Sequence, residues 1–569
     1  SGTNTAWATT DIGPNANING PTLTVRASSI TLSLASTPAD QTVVKGRQNV
    51  DVVGIVFAAT NASAIKVTAI TVTGYSDADG SGAFDKGSAG DIASTVQDVA
   101  LVEKESGTVI SSGASITNNL TAAAGTVAFS NLNWNIPAGS SKTLLVRVNL
   151  LNLTVPTKNH VGFDIAATSD VTGVDNNSST INAGNATPNG ATSITTDTTV
   201  TNAGTITLAA INDSDVQTQA LYWGQTGAKT SKFRLTGTNE GQFLERFTIA
   251  ASVAAEVTDA KANVGAVKVT YKNKNGDTLT TSGAFSNGAS VNFGWSGDAR
   301  PYIPKDSSLD ITVAADLKIK ADGATTSTST GATDAVAFSL DLMDRFNGSS
   351  ADGFRAVGEG SGTVLDGDST NIVDVAGSNN MYIYRVFPKF DQVALSAPYN
   401  LIGTPTVFKF TVTAMGLSDS RLFFDNAATG SGSIKFEVTA SGEYDQSAAS
   451  TAFSIYDSTN TLIDNSTLTA DANKALAASL TFDFTSLDVE ITGGQSQTFR
   501  VELTNPNASY AKTSNTGRGA DYFQLSLLDN ENSLINWVSN TTGSTNDLDT
   551  PSTKSVLKNL PLYGPTFQR

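Results

Sequence analysis

Along this chain, stretches in which every second residue is apolar are separated by turns rich in Gly, Pro, Asn and Ser, the period-two pattern of strands with one buried face. One turn-plus-strand pattern occurs three times. Ile136-Pro137-Ala138-Gly139-Ser140-Ser141 leads into Leu144, Val146, Val148 and Leu150. Ile303-Pro304-Lys305-Asp306-Ser307-Ser308 leads into Ile311 and Val313, and Ile491-Thr492-Gly493-Gly494-Gln495-Ser496 into Phe499, Val501 and Leu503. Ile303 follows Ile136 by 167 residues and Ile491 follows Ile303 by 188, so the repeating unit is a domain rather than a short solenoid repeat.

Other landmarks recur in the same order. After each turn come Val161-Gly162-Phe163-Asp164-Ile165, Val336-Ala337-Phe338-Ser339-Leu340 and Phe523-Gln524-Leu525-Ser526-Leu527. Before it lie consecutive strands: Val52–Phe57 with Ile65–Val72, Phe233–Leu235 with Phe243–Ile249, and Val407–Val412 with Arg421–Phe424. Each unit is expected to open on a short strand: Thr22–Val25, Thr205–Leu208 and Met381–Tyr384. Eight to ten strands with turn signals every 8–15 residues predict, for each unit, an antiparallel immunoglobulin-like β-sandwich. The expected divisions are an N-terminal arm (1–20), three sandwiches (21–195, 196–376 and 377–550) and a C-terminal strand or tail (551–569). The polar stretches Asp175–Thr201 and Gly360–Asn380 read as linkers or long loops, and Ala324–Thr333 as a surface loop. Val253–Val264 is the nearest candidate for a helix.

Composition narrows the function classes. Hydrophobic residues make up 39% of the 569, enough for ordinary cores, and charged residues only 15%. The net charge of −17 comes without a Lys/Arg stripe, which argues against a nucleic-acid partner. With no Cys, disulfides, thiolate chemistry and Cys-ligated zinc are excluded. No apolar run approaches the ~20 residues that a transmembrane helix needs. Ser1 at the start, and Met only at 343, 381 and 415, suit a secreted chain whose signal peptide has been cleaved.

Candidate chemistry is sparse. His160 is the sole histidine, no Gly-x-Ser-x-Gly elbow accompanies it, and it reads as a strand-edge surface residue. Paired carboxylates could serve a glycosidase, but no Asp/Glu pair repeats or falls among aromatic residues. The tryptophans are dispersed, and Trp134 and Trp295 are expected in cores. Sequons such as Asn61, Asn119, Asn152, Asn347, Asn465 and Asn507 occur about as often as chance in so Ser/Thr-rich a chain. One motif carries chemistry: Asp77, Asp79, Ser81 and Asp85 put oxygens at positions 1, 3, 5 and 9 of a loop with Gly82 at position 6. That is the first part of an EF-hand-type calcium loop. Ala83 would offer its carbonyl, and Asp91 would fold back to replace the Glu that Ser88 displaces at position 12. The same residues also suit a plain acidic turn between two strands.

Repeated Thr/Ser/Asn/Ala-rich sandwiches, acidity, absence of Cys and the Asp77–Asp85 loop together resemble the tandem immunoglobulin-like proteins of prokaryotic cell surfaces, above all surface-layer (S-layer) subunits. The resemblance implies an extracellular, non-enzymatic protein that self-assembles into arrays, often with Ca2+, and that could contact cell-envelope glycan. A filament or sheath subunit joined by exchanged strands, and a surface adhesin or carbohydrate-binding protein, are the alternatives. The apolar stretch Val556–Tyr563 near the end reads either as the last strand of the third sandwich or as a strand donated to a neighbouring subunit.

Overall fold

A computed structural model describes residues 27–76, 84, 89–111, 125–152, 160–185, 196–251, 263–285, 290–319, 336–345, 353–377, 379–399, 403–424, 432–441, 452–467, 477–484, 487–504, 522–528, 535–539, 548–549 and 556–568. Over these residues the protein is all-β. It divides into two compact units, Ser1–Ala203 and Gly204–Arg569; one hydrophobic core lies in the first and two lie in the second.

Each core is walled on one side by a five-stranded antiparallel sheet of identical topology. In the first unit the order across the sheet is Ile30–Leu34, Val50–Ala59, Ser141–Leu150, Val96–Glu103, Val109–Ser111. In the second unit one sheet runs Thr205–Ala210, Ala228–Thr238, Ser307–Leu317, Val264–Lys272, Thr278–Gly283. The other runs Val386–Gln392, Thr406–Gly416, Ser496–Leu503, Ala452–Tyr456, Leu462–Thr467. The middle strand of each is the one predicted from the repeated turn. Leu144, Val146 and Val148, Ile311 and Val313, and Phe499, Val501 and Leu503 are all buried. Between Val146 and Val148, Arg147 turns outward and pairs with Asp51 at 2.6 Å. A one-residue slip would exchange these two sets, so burial of the apolar set fixes the register. The turn is also the same in all three: Gly139 (φ 68°), Asp306 (φ 51°) and Gly494 (φ 78°) occupy the left-handed region that Gly enters freely and Asp tolerates.

The consecutive strands read before each turn lie in opposite walls. Val50–Ala59 belongs to the five-stranded sheet, whereas Ile65–Tyr75 is the centre of the facing one, pairing with Thr126–Phe129, Trp134–Ile136, His160–Asp164 and Val171–Asp175. Gln242–Ala250 has the same place in the second core, paired with Ser290–Gly294, Tyr302–Ile303, Asp341–Met343 and Arg355–Gly358. In the third core that central strand is split into Arg421–Phe424 and Ser433–Ser441.

Several expectations are corrected. Parts of the supposed linkers are strands: Thr180–Asn182 and Thr198–Thr201 in the first unit, Val364–Asp366 in the second. Thr180–Asn182 and Val364–Asp366 are outer strands, held by backbone ladders with few buried side chains, whereas Thr198–Thr201 lies between two strands and buries only Thr198 and Val200. Met381–Tyr384 is not the opening strand of the third sandwich. It pairs in parallel with Gln219–Tyr222 and antiparallel with Val336–Phe338, so it closes the second. Its counterpart is Thr198–Thr201, parallel to Gln41–Val44 and antiparallel to His160–Val161. Among the described residues the strand pairs are therefore antiparallel except for these two parallel ribbons, with one isolated parallel bridge, Ile30 to Ala183. The candidate helix and the loop Ala324–Thr333 lie outside the described residues, except that Asn263 is helical and Val264 begins a strand.

The second ribbon faces two cores at once. Leu221, Met381 and Ile383 enter the core of residues 206–383, while Ala220 and Tyr384 belong to the next core, with Tyr222 and Tyr382 packed against it. Tyr384 meets Trp537 edge-on at 5.3 Å, and Trp537 Nε1 donates to the Val386 carbonyl at 2.8 Å. Ala220 N–H donates to Val556 O at 2.9 Å, which ties the C-terminal stretch to the same ribbon. That stretch then pairs within its own chain: Leu562–Tyr563 opposite Ser526–Leu527, and Phe567–Gln568 opposite Tyr522–Phe523. Within this chain the tail is thus paired internally.

Candidate functional site

The residues expected to hold calcium are only framed by the structure. Asp77, Asp79, Ser81, Ala83 and Asp85 lie outside the described residues, and Asp91 is described only as part of the short 3-10 helix Ala89–Ser94. At the root of the loop the strand Ile65–Tyr75 ends against a buried carboxylate. Asp164, 1% exposed and opposite Thr73, sits beside the Tyr75 hydroxyl; burial, then this carboxylate, pushes the Tyr75 pKa well above the usual phenol range. Ser76, directly before Asp77, has a buried hydroxyl with no hydrogen-bond partner among the described residues. Among the described residues no group of three or more His, Asp or Glu side chains is placed to hold a metal ion.

His160 begins its strand, as expected of an edge residue, but its Nδ1 lies 2.7 Å from Asp197 Oδ2. Asp197 N–H in turn donates to Asp40 Oδ1 at 2.8 Å. The arrangement pins the start of the first ribbon, where Gln41 N–H donates to the Asp197 carbonyl. Sequence reasoning missed the pair because 37 residues separate its members. Trp134 is in the first core, edge-on to Phe57 at 5.0 Å. Trp295 is half-buried, stacked on Phe293 at 6.1 Å, with Nε1 donating to Thr281 Oγ1 at 3.0 Å.

The outward face of Gln242–Ala250 carries the densest chemistry among the described residues. Phe243 and Glu245 point outward between buried Gln242, Leu244 and Phe247. Phe243 lies opposite Tyr302, ring centroids 5.1 Å apart. The Arg300 guanidinium lies 4.2 Å from the Phe243 ring, and Lys274 Nζ lies 5.7 and 5.8 Å from the Phe243 and Tyr302 rings. Glu245 accepts from Arg355 Nε at 3.0 Å and Arg300 Nη1 at 3.5 Å. Glu359 accepts from the Tyr302 hydroxyl at 2.6 Å and pairs with Lys274. Two carboxylates do therefore sit in an aromatic neighbourhood, which corrects the sequence reading. Their side chains come from segments spread over residues 243–359, so no local pattern showed it. In the structure Lys66–Asn135, Phe243–Tyr302 and Phe423–Glu490 are cross-strand pairs at one register position, each directly before the repeated turn.

No protein-family model and no curated protein matches the chain. Solved structures do align with it at low similarity. The C-terminal domain of the Streptococcus agalactiae antigen I/II polypeptide BspA is 10% identical over 64% of this chain and 99% of its own, with a TM-score of 0.15. The BSP domain of a biofilm-associated protein is 10% identical over 94% of this chain and 96% of its own, at 0.17. A tetra-tandem repeat from the extending region of a large adhesion protein is 10% identical over 91% and 100%, at 0.10. Superpositions at these scores carry no argument about what this chain does.

Proposed function

We propose that this chain is an extracellular, non-enzymatic surface protein of the adhesin or stalk kind, in which tandem sandwiches hold and space an adhesive face under tension. The observation that carries the reading is the parallel ribbon. In the first unit the chain enters on Ile30–Leu34 in one sheet, crosses to Gln41–Val44 in the other, and leaves through Thr198–Thr201 alongside it. Gln219–Tyr222 and Met381–Tyr384 repeat the arrangement. When the entry and exit strands are parallel, pulling the ends apart loads their hydrogen bonds in shear, so they must fail together. Antiparallel neighbours joined by a turn would open one bond at a time. Forced unfolding is governed by the unfolding rate, which such a barrier lowers.

Pulling single molecules by their ends tests this. Lys45→Pro removes the ribbon bond from Lys45 N–H to Thr201 O, 2.9 Å long, and should lower the rupture force of the first unit. A proline in the outer strand Val109–Ser111 should not. Equal rupture forces for the two variants would overturn the reading.

A self-assembling S-layer-type array is the second reading, favoured by the acidity of the chain and the spacing of oxygens in its Asp77–Asp85 loop. In either case we propose Ca2+ at that loop, with buried Asp164 at its root as a neighbouring carboxylate. Electron microscopy with and without calcium separates the readings: ordered sheets favour the array, dispersed particles the stalk.

A further inference from the structure

The three repeats act as one another's controls. At the register position next to the repeated turn, the first sandwich carries Lys66 and Asn135, both exposed, and the third carries Phe423, 6% exposed, and exposed Glu490. The same backbone thus folds without an aromatic pair there. Only the second places two rings side by side, Phe243 and Tyr302, with two cations, Lys274 and Arg300, over them and a third, Arg355, held beside them by Glu245. The ion pairs at this face are partly solvated, with side-chain exposures of 26–54%, and pairs of that kind add little to stability. The ion pairs therefore do not account for the cluster through stability.

We propose that the face formed by Phe243, Tyr302, Lys274, Arg300 and Arg355 binds a carboxylate-bearing polysaccharide, a partner class that rests on the surface-adhesive reading. Ring faces give dispersion contact to the C–H faces of a sugar. Lys274, Arg300 and Arg355 lie beside Glu245, Glu359 and, across from Arg355, Asp366, so within a chain of net charge −17 this face offers an anion a local group of cations. Donors remain for it. Of the five N–H donors on each guanidinium, the bonds to Glu245 and Gly297 use Nε and Nη1 of Arg300, and the bond to Glu245 uses Nε of Arg355. The two carboxylates orient the cations and can accept from sugar hydroxyls.

Affinity electrophoresis of the full chain in gels containing sodium alginate, a polyuronate, or dextran, a neutral glucan, tests the assignment. Alginate should retard the wild type and dextran should not. Phe243→Gln with Tyr302→Asn, and separately Arg355→Gln, should each weaken retardation at least ~10-fold in apparent dissociation constant while leaving the thermal melting curve in place. Equal retardation by dextran would overturn the acidic class. No retardation of the wild type, or undiminished retardation of the ring variant, would overturn the site. Failure here leaves the rupture-force measurement unaffected, so the two proposals fall separately.

Discussion

The ribbon of Gln41–Val44 with Thr198–Thr201 and the ribbon of Gln219–Tyr222 with Met381–Tyr384 share strand direction and register, and differ on one face. Both turn apolar residues into the sandwich they close: Val43 and Val200 in one, Leu221, Met381 and Ile383 in the other. On the opposite face the first carries Thr42, Thr199 and Thr201 with buried Val44, and the second carries Ala220, Tyr222, Tyr382 and Tyr384. One compact unit ends just after the threonine face, at Ala203, whereas the tyrosine face lies inside the other unit. Buried tyrosines contribute far more apolar contact than threonines. The lesson is that, within the second unit, four side chains on one ribbon face let two sandwiches share a single strand pair.

The harshest way to break that contrast is a charge on each face. Tyr384→Asp would bury an unpaired carboxylate beside Trp537 and should cost several kcal/mol, roughly 3–5. Hydrogen exchange should accelerate in both Phe233–Leu235 and Phe408–Val412, with Val52–Phe57 unchanged. Thr199→Asp, on the half-buried threonine face, should cost under about 1 kcal/mol. If Tyr384→Asp loosened only one of the two cores, the shared ribbon would not couple them.

Calcium should sharpen the same division from the other side. Bound at Asp77–Asp85, it would stabilise the first unit by about 2.7 kcal/mol at a hundredfold excess over its dissociation constant. EDTA should then lower the first unit's melting temperature alone, and Asp77→Ala with Asp79→Ala should abolish the difference. A melting curve indifferent to EDTA and millimolar calcium would dispose of the loop as a metal site.

A smaller effect is expected at Gly204, where the second unit begins. Glu240, 3% exposed, accepts from the backbone N–H groups of Gly204 (2.8 Å), Gly360 (3.0 Å) and Ser361 (3.0 Å) and from the Ser361 hydroxyl (2.7 Å). Glu240→Gln turns an NH2 group toward donors and should cost about 1–2 kcal/mol. Exchange should rise at Gly204–Ile206 and Gly360–Thr363 before it rises in the ribbon. Uniform loosening of the whole unit would mean that Glu240 supports the core rather than its edge.

The walls of the cores were legible in the sequence because alternation is local: Leu144-x-Val146-x-Val148 reports its own burial. The ribbons were not. Thr198–Thr201 offers little apolar signal within a Ser/Thr-rich stretch, and Met381–Tyr384 reads equally well as the start of one sandwich or the end of another. What decides is a partner at Gln219, 162 residues earlier in register with Met381, and periodicity carries no information about pairing at that range. The aromatic face was hidden for the same reason, since Phe243 and Tyr302 meet only across strands. The metal loop is the reverse case, an explicit spacing that lies outside the described residues.

The outermost strands of the three five-stranded sheets bear on how such a chain survives crowding. A bare sheet edge is a template for pairing with other chains, and tandem copies of one fold offer many near-identical edges. Here the first edge, Val109–Ser111, is only three residues long. The second, Thr278–Gly283, is Thr/Ser-rich and alternates exposed and half-buried positions. The third, Leu462–Thr467, turns Ile463 into the core and leaves Leu462 as its one exposed apolar residue. Each copy is thereby made a poor template for aggregation by a different device, so repeats that fold alike need not misassemble with one another.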